Sequence, residues 1–318
     1  MRRPLVVLTG PTAVGKTSLS IGLAKALDAE IISADSMQVY KYMDIGSAKI
    51  RPWEMQGVPH HLVDVLDPRE EFHVVRFQQM AKEAMEQIYS RGKIPLLVGG
   101  TGFYIQAVTR DIDFSQEGED SPFRRELEAL AREKGAEYLH SRLAQVDEES
   151  ARKIHPNNVK RVIRALEFYE ENHYPISLHN QQEQEKESPY NLAYFVLNAP
   201  RDLLYRRIDQ RVDQMVEEGL LDEVRHLKDM GCDRSLVSMQ GLGYKEILAY
   251  LDQEISFEEA IRILKRDTRH FAKRQITWFK REKDVIWMDK EKYDYDEDRI
   301  LADMLKICEE KRILERTI

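Results

Sequence analysis

The sequence is poor in cysteine, with only Cys232 and Cys308 among 318 residues. A disulfide framework and a zinc site built from cysteines are therefore excluded, and a reducing cytoplasm is the expected compartment. No apolar run approaches the roughly 20 residues that a membrane-spanning helix needs, so no membrane partner is expected. The opening Met1-Arg-Arg-Pro is too short for a secretory signal. Internal repeats and low-complexity tracts are also missing, which excludes solenoids and linker-type chains. Hydrophobic residues make up 42% of the chain and charged residues 33%, enough for one large or two ordinary domains with a sizeable core. The net charge of -8 argues mildly against a nucleic-acid partner, but the distribution of basic residues matters more than their sum.

What is present begins at Leu5. Leu5-Val-Val-Leu8 suits a short strand buried on both faces, and Gly10-Pro11-Thr12-Ala13-Val14-Gly15-Lys16-Thr17 follows it at once. This run matches G-x-x-x-x-G-K-[ST] at every fixed position, and Leu19, Leu23, Ala26 and Leu27 recur behind it at helical spacing. Strand, glycine turn and helix together make a phosphate-binding loop. Its glycines let the backbone wrap an anion, its amides and the helix N-terminus face that anion, and Lys16 adds a charge. Thr17 is the expected magnesium ligand, through its hydroxyl.

Further along, Glu30 to Ser36 reads as a second strand with its polar residues at the C-terminal end, so Asp35 and Ser36 should face the same crevice as the loop. Residues 60–65 form a candidate third strand, Val74 to Arg91 a helix, and Pro95-Leu-Leu-Val a buried strand running into Gly99-Gly-Thr-Gly102. This alternation predicts an α/β fold with a doubly wound parallel sheet of the P-loop type. From about residue 113 to 189 the chain turns helical and highly charged, with Ser121-Pro122 as helix N-cap and first-turn signals, a helix over Val159 to Glu171, and a polar loop over Gln181 to Ser188. This stretch reads as an inserted, mostly helical second domain, a lid, between core segments 1–112 and 190–318. Ala193 to Asn198 resumes strand character, Val285 to Met288 is a candidate closing strand, and a terminal helix is expected around Ile300 to Leu314.

Several side chains carry chemistry. A carboxylate such as Asp35, at a strand end beside phosphate charge, suits proton acceptance or water-mediated magnesium binding. Asp64 is a weaker candidate for the second of these roles. His60 and His61 lack metal-ligand spacing to a third partner. Arg207 and Arg211 lie four apart on one helix and can reach the same anion. Between Ile261 and Lys283, Arg262, Arg266, Arg269, Lys273 and Lys280 share one helix face. Lys265, Arg274, Arg281, Phe271 and Trp278 are interleaved with them. A second basic cluster holds Arg152, Lys153, Lys160, Arg161 and Arg164. Two basic helices beside a phosphate pocket suit a nucleic-acid backbone better than a free nucleotide.

With Asp35-Ser-Met-Gln-Val-Tyr40, Met43-Asp-Ile-Gly-Ser-Ala-Lys49, Pro59-His-His-Leu-Val-Asp64, Gly99-Gly-Thr-Gly-Phe-Tyr104, Gly241-Leu-Gly-Tyr-Lys-Glu246 and Thr268 to Phe279 in this order, the chain resembles the IPP transferase family of tRNA isopentenyltransferases over nearly its whole length. Ser47 and Phe103 are conservative departures from the family's usual threonine and leucine. The resemblance implies transfer of a dimethylallyl group from dimethylallyl diphosphate to the exocyclic amine of the adenine 3′ of the anticodon, with Mg2+ as cofactor. It implies Asp35, Thr101 and Lys16 as catalytic residues, and the loop Gly10 to Thr17 with Arg207 or Arg211 around the diphosphate. Asp35, Ser36, Met37, Gln38, Thr101, Arg124, Lys160, Arg161, Arg269, Lys273 and Arg274 are the implied contacts to a tRNA anticodon stem-loop. The helical insertion is implied as a tRNA-binding lid, and the protein is expected to act as a monomer. A small-molecule kinase would share the loop and Asp35 but not need the basic helices. A non-catalytic RNA-binding module would leave the loop unexplained.

Overall fold

Leu5, Val6, Val7 and Leu8 are all completely buried, as a parallel strand covered on both faces requires. They belong to β1, Pro4–Thr9, the strand from which the rest of the sheet extends to either side. The computed structural model describes residues 2–114 and 121–313. It divides into two compact units, Met1–Thr109 with Pro189–Ile318, and Arg110–Ser188.

In the first unit β2 (Ala29–Ala34), β3 (His60–His61), β4 (Ile94–Gly99), β5 (Asn191–Asn198) and β6 (Ile286–Asp289) join β1 in a 6-stranded sheet of order β3-β2-β4-β1-β5-β6. Every pairing is parallel. Because successive side chains of a strand point to opposite faces, β1 feeds two separate cores. Leu5 and Val7 pack with α2 (Val74–Ser90), α3 (Gly102–Thr109), α10 (Leu220–Asp229), α11 (Tyr244–Leu251) and α12 (Phe257–Phe279). Val6 and Leu8 pack with α1 (Lys16–Leu27), α13 (Glu297–Glu310) and the start of α9 (Arg201–Glu217). The sheet is thus doubly wound, as the strand and helix alternation predicts.

The second unit holds α4 (Pro122–Lys134), α5 (Ala136–Val146), α6 (Glu148–Lys153), α7 (Val159–Asn172) and α8 (Ile176–Glu185). Ser121 caps α4 by accepting from the Arg124 amide, with proline in the first turn. Leu127, Leu139, Leu143, Val162 and Leu166 form this unit's own core.

Three expectations from the sequence need correction. The third strand ends at His61 because Leu62 and Asp64 take left-handed φ of 60°, which no ladder accommodates. Residues 181–185 are helical and not a loop: polar α8 is held by Asp147, which accepts the Ser177 amide at 2.9 Å, and by the buried Glu183 carboxylate. The terminal helix stops at Glu310, and Leu314 lies outside the described residues.

β4 meets β2 so closely at its C-terminal end that a Cβ on Gly99 would lie 2.2 Å from the Ala34 carbonyl oxygen. Gly99→Ala is expected to destabilise the first unit by about 1–3 kcal/mol, the usual range for overpacking a tight site. Urea denaturation measures it, and a variant as stable as the parent would mean that the strand ends can separate at no cost.

Candidate active site at the carboxyl ends of the strands

The turn after β1 is shaped by close approach and by left-handed backbone. A Cβ on Gly10 would lie 2.5 Å from the Leu197 carbonyl of β5, and Ala13 and Gly15 have φ of 63° and 89°. Pro11 and Val14 are buried beneath the turn. Lys16, the first residue of α1, folds back so that Nζ donates to the carbonyls of Gly10 and Pro11, each at 3.0 Å. Burial, reinforced by repulsion from Arg211 and opposed by attraction to Asp35, lowers this ammonium to about 8. Behind the loop, the buried Lys290 places Nζ 3.4 Å from the Val14 carbonyl and 2.8 Å from Glu297 Oε1.

Asp35 follows β2 directly. Its Oδ1 accepts the amides of Met37 at 2.8 Å and Gln38 at 3.3 Å, a turn that fixes the carboxyl group. Burial raises its pKa above the ordinary carboxylate range, against the lowering pull of these two amides and of Lys16. An ammonium pushed down and a carboxylate pushed up, within electrostatic reach of each other, mark a functional site.

The turn after β4 completes the crevice. The Thr101 amide donates to the Ala34 carbonyl at 3.2 Å, and the Thr101 carbonyl accepts from Tyr104 and Ile105 to start α3. Glycines flank Thr101 because α12 presses on both sides of it. A Cβ on Gly100 would lie 2.2 Å from Gln275 Nε2, and one on Gly102 would lie 2.3 Å from Trp278 Cδ1. Gln275 takes no role from its sequence neighbours, and its one signal in the sequence is a polar residue on the apolar face of an amphipathic helix.

Thr17 and Arg211 line a cavity of about 840 Å³ with Lys49, Arg51, Trp53, Glu54 and His60 among others. Arg211 projects into this cavity, open to water yet surrounded by protein, and desolvation lowers its guanidinium in spite of Glu54 nearby. Of the two expected arginines, Arg211 is the one whose charge acts on Lys16, whereas the charge of Arg207 acts on Glu297. Asp64 is engaged elsewhere: Lys49 Nζ donates to it at 2.9 Å, to Asp44 at 2.5 Å and to the Tyr40 carbonyl at 2.6 Å. His60 and His61 are structural, bonded to the Val58 carbonyl and to Glu30. Among the described residues no group of three or more His, Cys, Asp or Glu could hold a metal ion.

The loop after Asp35 is braced by its own side chains. Ser36 is half-buried. Met37 packs against Gly241, and Gln38 donates to the carbonyls of Ala48 at 3.1 Å and Ser47 at 3.4 Å. Glu223 accepts the successive amides of Asp44, Ile45 and Gly46 at 2.7–3.0 Å and the Tyr244 hydroxyl at 2.8 Å. Glu223 carries no local sequence signal, because the amides it accepts lie more than 170 residues away in the chain.

The basic residues separate into paired and unpaired groups. On α12, Arg262, Lys265, Arg266 and Arg269 pair with Glu259, Asp213, Asp267 and Asp209. Lys273 and Arg274 are exposed, face no carboxylate among the described residues, and line a cavity of about 480 Å³ with His270, Thr277, Trp278 and Arg281. In the second unit, Lys160 and Arg161 are exposed in the first turn of α7. Arg124 differs from expectation. Its guanidinium forks onto the buried Glu167 at 2.6–3.0 Å, which makes it the counter-ion of an internal carboxylate.

Comparison with known proteins adds the family. A model of the IPP transferase family matches residues 38–282, and one of the isopentenyl transferases matches residues 4–67. The tRNA dimethylallyltransferase of Lachnoclostridium phytofermentans is 61% identical over 313 residues, covering 98% of this chain and 100% of that protein. The crystal structure of full-length tRNA isopentenylpyrophosphate transferase from Bacillus halodurans is 46% identical, with a TM-score of 0.74 over 99% of both chains. A eukaryotic dimethylallyltransferase, described in structures of it acting on tRNA, is 32% identical with a TM-score of 0.77, over 90% of this chain and 74% of that one. With this family's model matching most of the chain and a relative 61% identical over 98% of it, the chain belongs to the IPP transferase family.

Proposed function

We infer that the protein transfers a dimethylallyl group from dimethylallyl diphosphate to tRNA, at the exocyclic amine of the adenine 3′ of the anticodon. The observation that carries the residue assignments is the pairing of two perturbed groups at one crevice: the desolvated Lys16 ammonium on the phosphate loop and the buried Asp35 carboxylate at the neighbouring strand end. The first suits a leaving diphosphate and the second an attacking amine.

An adenine amine is a weak nucleophile because its lone pair is delocalised into the ring. Hydrogen bonding to Asp35 raises its reactivity as the nitrogen attacks the allylic carbon. The new C–N bond forms while the C–O bond to diphosphate breaks. The electron pair leaves with the diphosphate, and the amine proton passes to Asp35. Charge developing on the diphosphate is met by Lys16, by amides of the Gly10 to Thr17 loop and by Arg211. Gly10 to Gly15 cradle the diphosphate, Arg207 lies one helical turn before Arg211, and Thr101 stands beside donor and base.

Magnesium fits this donor set in one way. Thr17 offers a hydroxyl in the first turn of α1, and among the described residues no group of three or more His, Cys, Asp or Glu adds to it. Thr17 and the diphosphate oxygens would hold the ion, with water completing its shell. When bound it supplies additional neutralisation of the leaving group.

For the tRNA, Ser36, Met37 and Gln38 frame the approach to Asp35, and the exposed Lys273 and Arg274 of α12 contact backbone phosphates. Lys160 and Arg161 do so in the second unit, where the positive end of α7 adds to their charge. Arg269 supports α12 through Asp209 and the Tyr205 ring. The acceptor base must leave its stack to reach Asp35, which a single-stranded anticodon loop permits at low cost.

The direct test is incubation of the protein with labelled dimethylallyl diphosphate and unmodified tRNA, against ATP as a control donor. In that assay Asp35→Asn should lower the rate about 10²–10⁴-fold, with donor and tRNA binding nearly unchanged. A variant retaining more than about a tenth of the activity would falsify the base assignment.

Donor affinity should depend on pH with a definite sign. Lys16 is an ammonium below about 8 and loses its charge above, so diphosphate binding is expected to weaken as pH rises through that value. Titration of dimethylallyl diphosphate from neutral to alkaline pH measures this, and Lys16→Met should remove the dependence. A wild-type curve that stays flat would place the anion away from Lys16.

Lys273→Gln with Arg274→Gln should raise the apparent constant for tRNA and leave the donor constant alone, because phosphate contacts position the RNA and take no part in the chemistry. Each lost contact should also flatten the plot of log affinity against log salt by about 0.7. An unchanged slope would move the RNA path off α12.

A further inference from the structure

Gln275 lies on the inner face of α12, next in sequence to Arg274 on the outer face. Only 6% of it is exposed, and both ends of its carboxamide are engaged. Oε1 accepts the Thr12 amide of the phosphate loop at 2.9 Å, and Nε2 donates to the Gly100 carbonyl of the second glycine turn at 2.9 Å. These partners lie 263 and 175 residues away in the chain. The two turns follow neighbouring strands, β1 and β4, and on this side of the crevice the carboxamide bridges them. Gly100 is required because this contact leaves no room for a Cβ, and Gly102 is required in the same way by Trp278 one turn on.

We propose that Gln275 is a positioning residue for prenyl transfer: its carboxamide sets the register between the loop that holds the donor diphosphate and the turn that carries Thr101. It touches neither reacting group. It acts through the Thr12 amide, which it withholds from the anion and fixes in direction, and through the Gly100 carbonyl, which sets the peptide entering Thr101. A carboxamide serves both ends at once, since one partner needs an acceptor and the other a donor. The inference rests on the reading of the loop as the donor site, and the wild-type transfer assay serves as its separate control.

The test compares Gln275→Met, which keeps the bulk and loses both hydrogen bonds, with Gln275→Glu, which keeps the size. Circular dichroism and thermal unfolding establish that each variant is folded. For Gln275→Met, kcat/KM for dimethylallyl diphosphate should fall about 10- to 100-fold, the scale on which small misplacements act, while the tRNA constant holds. A protonated glutamic acid both donates and accepts, whereas the carboxylate only accepts. The ratio of Gln275→Glu to wild-type activity should therefore rise as pH falls. A filler role predicts that methionine restores near-wild-type kinetics and that the glutamate ratio is flat, and either result overturns the proposal. If methionine does not fold, the pH dependence of the glutamate ratio decides alone. Wild-type protein that transfers no label to tRNA would overturn the donor-site reading itself.

Discussion

The site depends on holding one ammonium out of water before any anion arrives. Lys16 donates to the carbonyls of Gly10 and Pro11, an arrangement that satisfies two of its protons without neutralising its charge. Desolvation and the neighbouring Arg211 both disfavour that charge, so a diphosphate entering the loop would relieve both. Asp35 shows the mirror case. Burial disfavours its negative charge, and two amides together with Lys16 oppose that effect. Each group is poised because its surroundings only partly compensate it.

Two anion-binding backbone arrangements in the first unit behave differently for a simple reason. Consecutive amides at Asp44, Ile45 and Gly46 are already capped by Glu223, itself held by Tyr244. That nest is internally filled and serves to fix the loop that carries Lys49. The loop over residues 10–17 has Lys16 in place of a carboxylate, so its positive field remains directed into the crevice. Structure and function thus use the same backbone chemistry, and the occupant decides which one results.

Helix α12 combines roles that differ by face. Ala260, Leu264, Ala272 and Phe279 are buried. Gln275 and Trp278 fit the glycines of the second turn, Arg269 pairs with Asp209 of α9, and Lys273 and Arg274 remain available on the outer side. Glycine at 100 and 102 is therefore a consequence of packing as much as of turn geometry. The close approach packs the helix directly against the turn that follows β4.

The amino-acid sequence by itself determined what depends on neighbours in the chain. Leu5 to Leu8 had to be a strand buried on both faces, Gly10 to Thr17 a phosphate-binding turn, and Ser121-Pro122 a helix start, because periodicity, backbone freedom and capping are local properties. The loop and the strand-end position of Asp35 were legible for that reason, whereas Thr101 entered only through the resemblance to a family. Charge partners were not. Arg124 looked like a phosphate contact until Glu167 was seen to take its fork, Asp64 like a magnesium neighbour until Lys49 claimed it, and Gln275 like an unremarked polar residue in a basic helix. The polar α8 likewise owes its order to Asp147 and the buried Glu183, contacts that composition does not reveal. Only the tertiary structure decides such cases, since an ionised or amide side chain takes its role from whichever distant group is brought within hydrogen-bond reach.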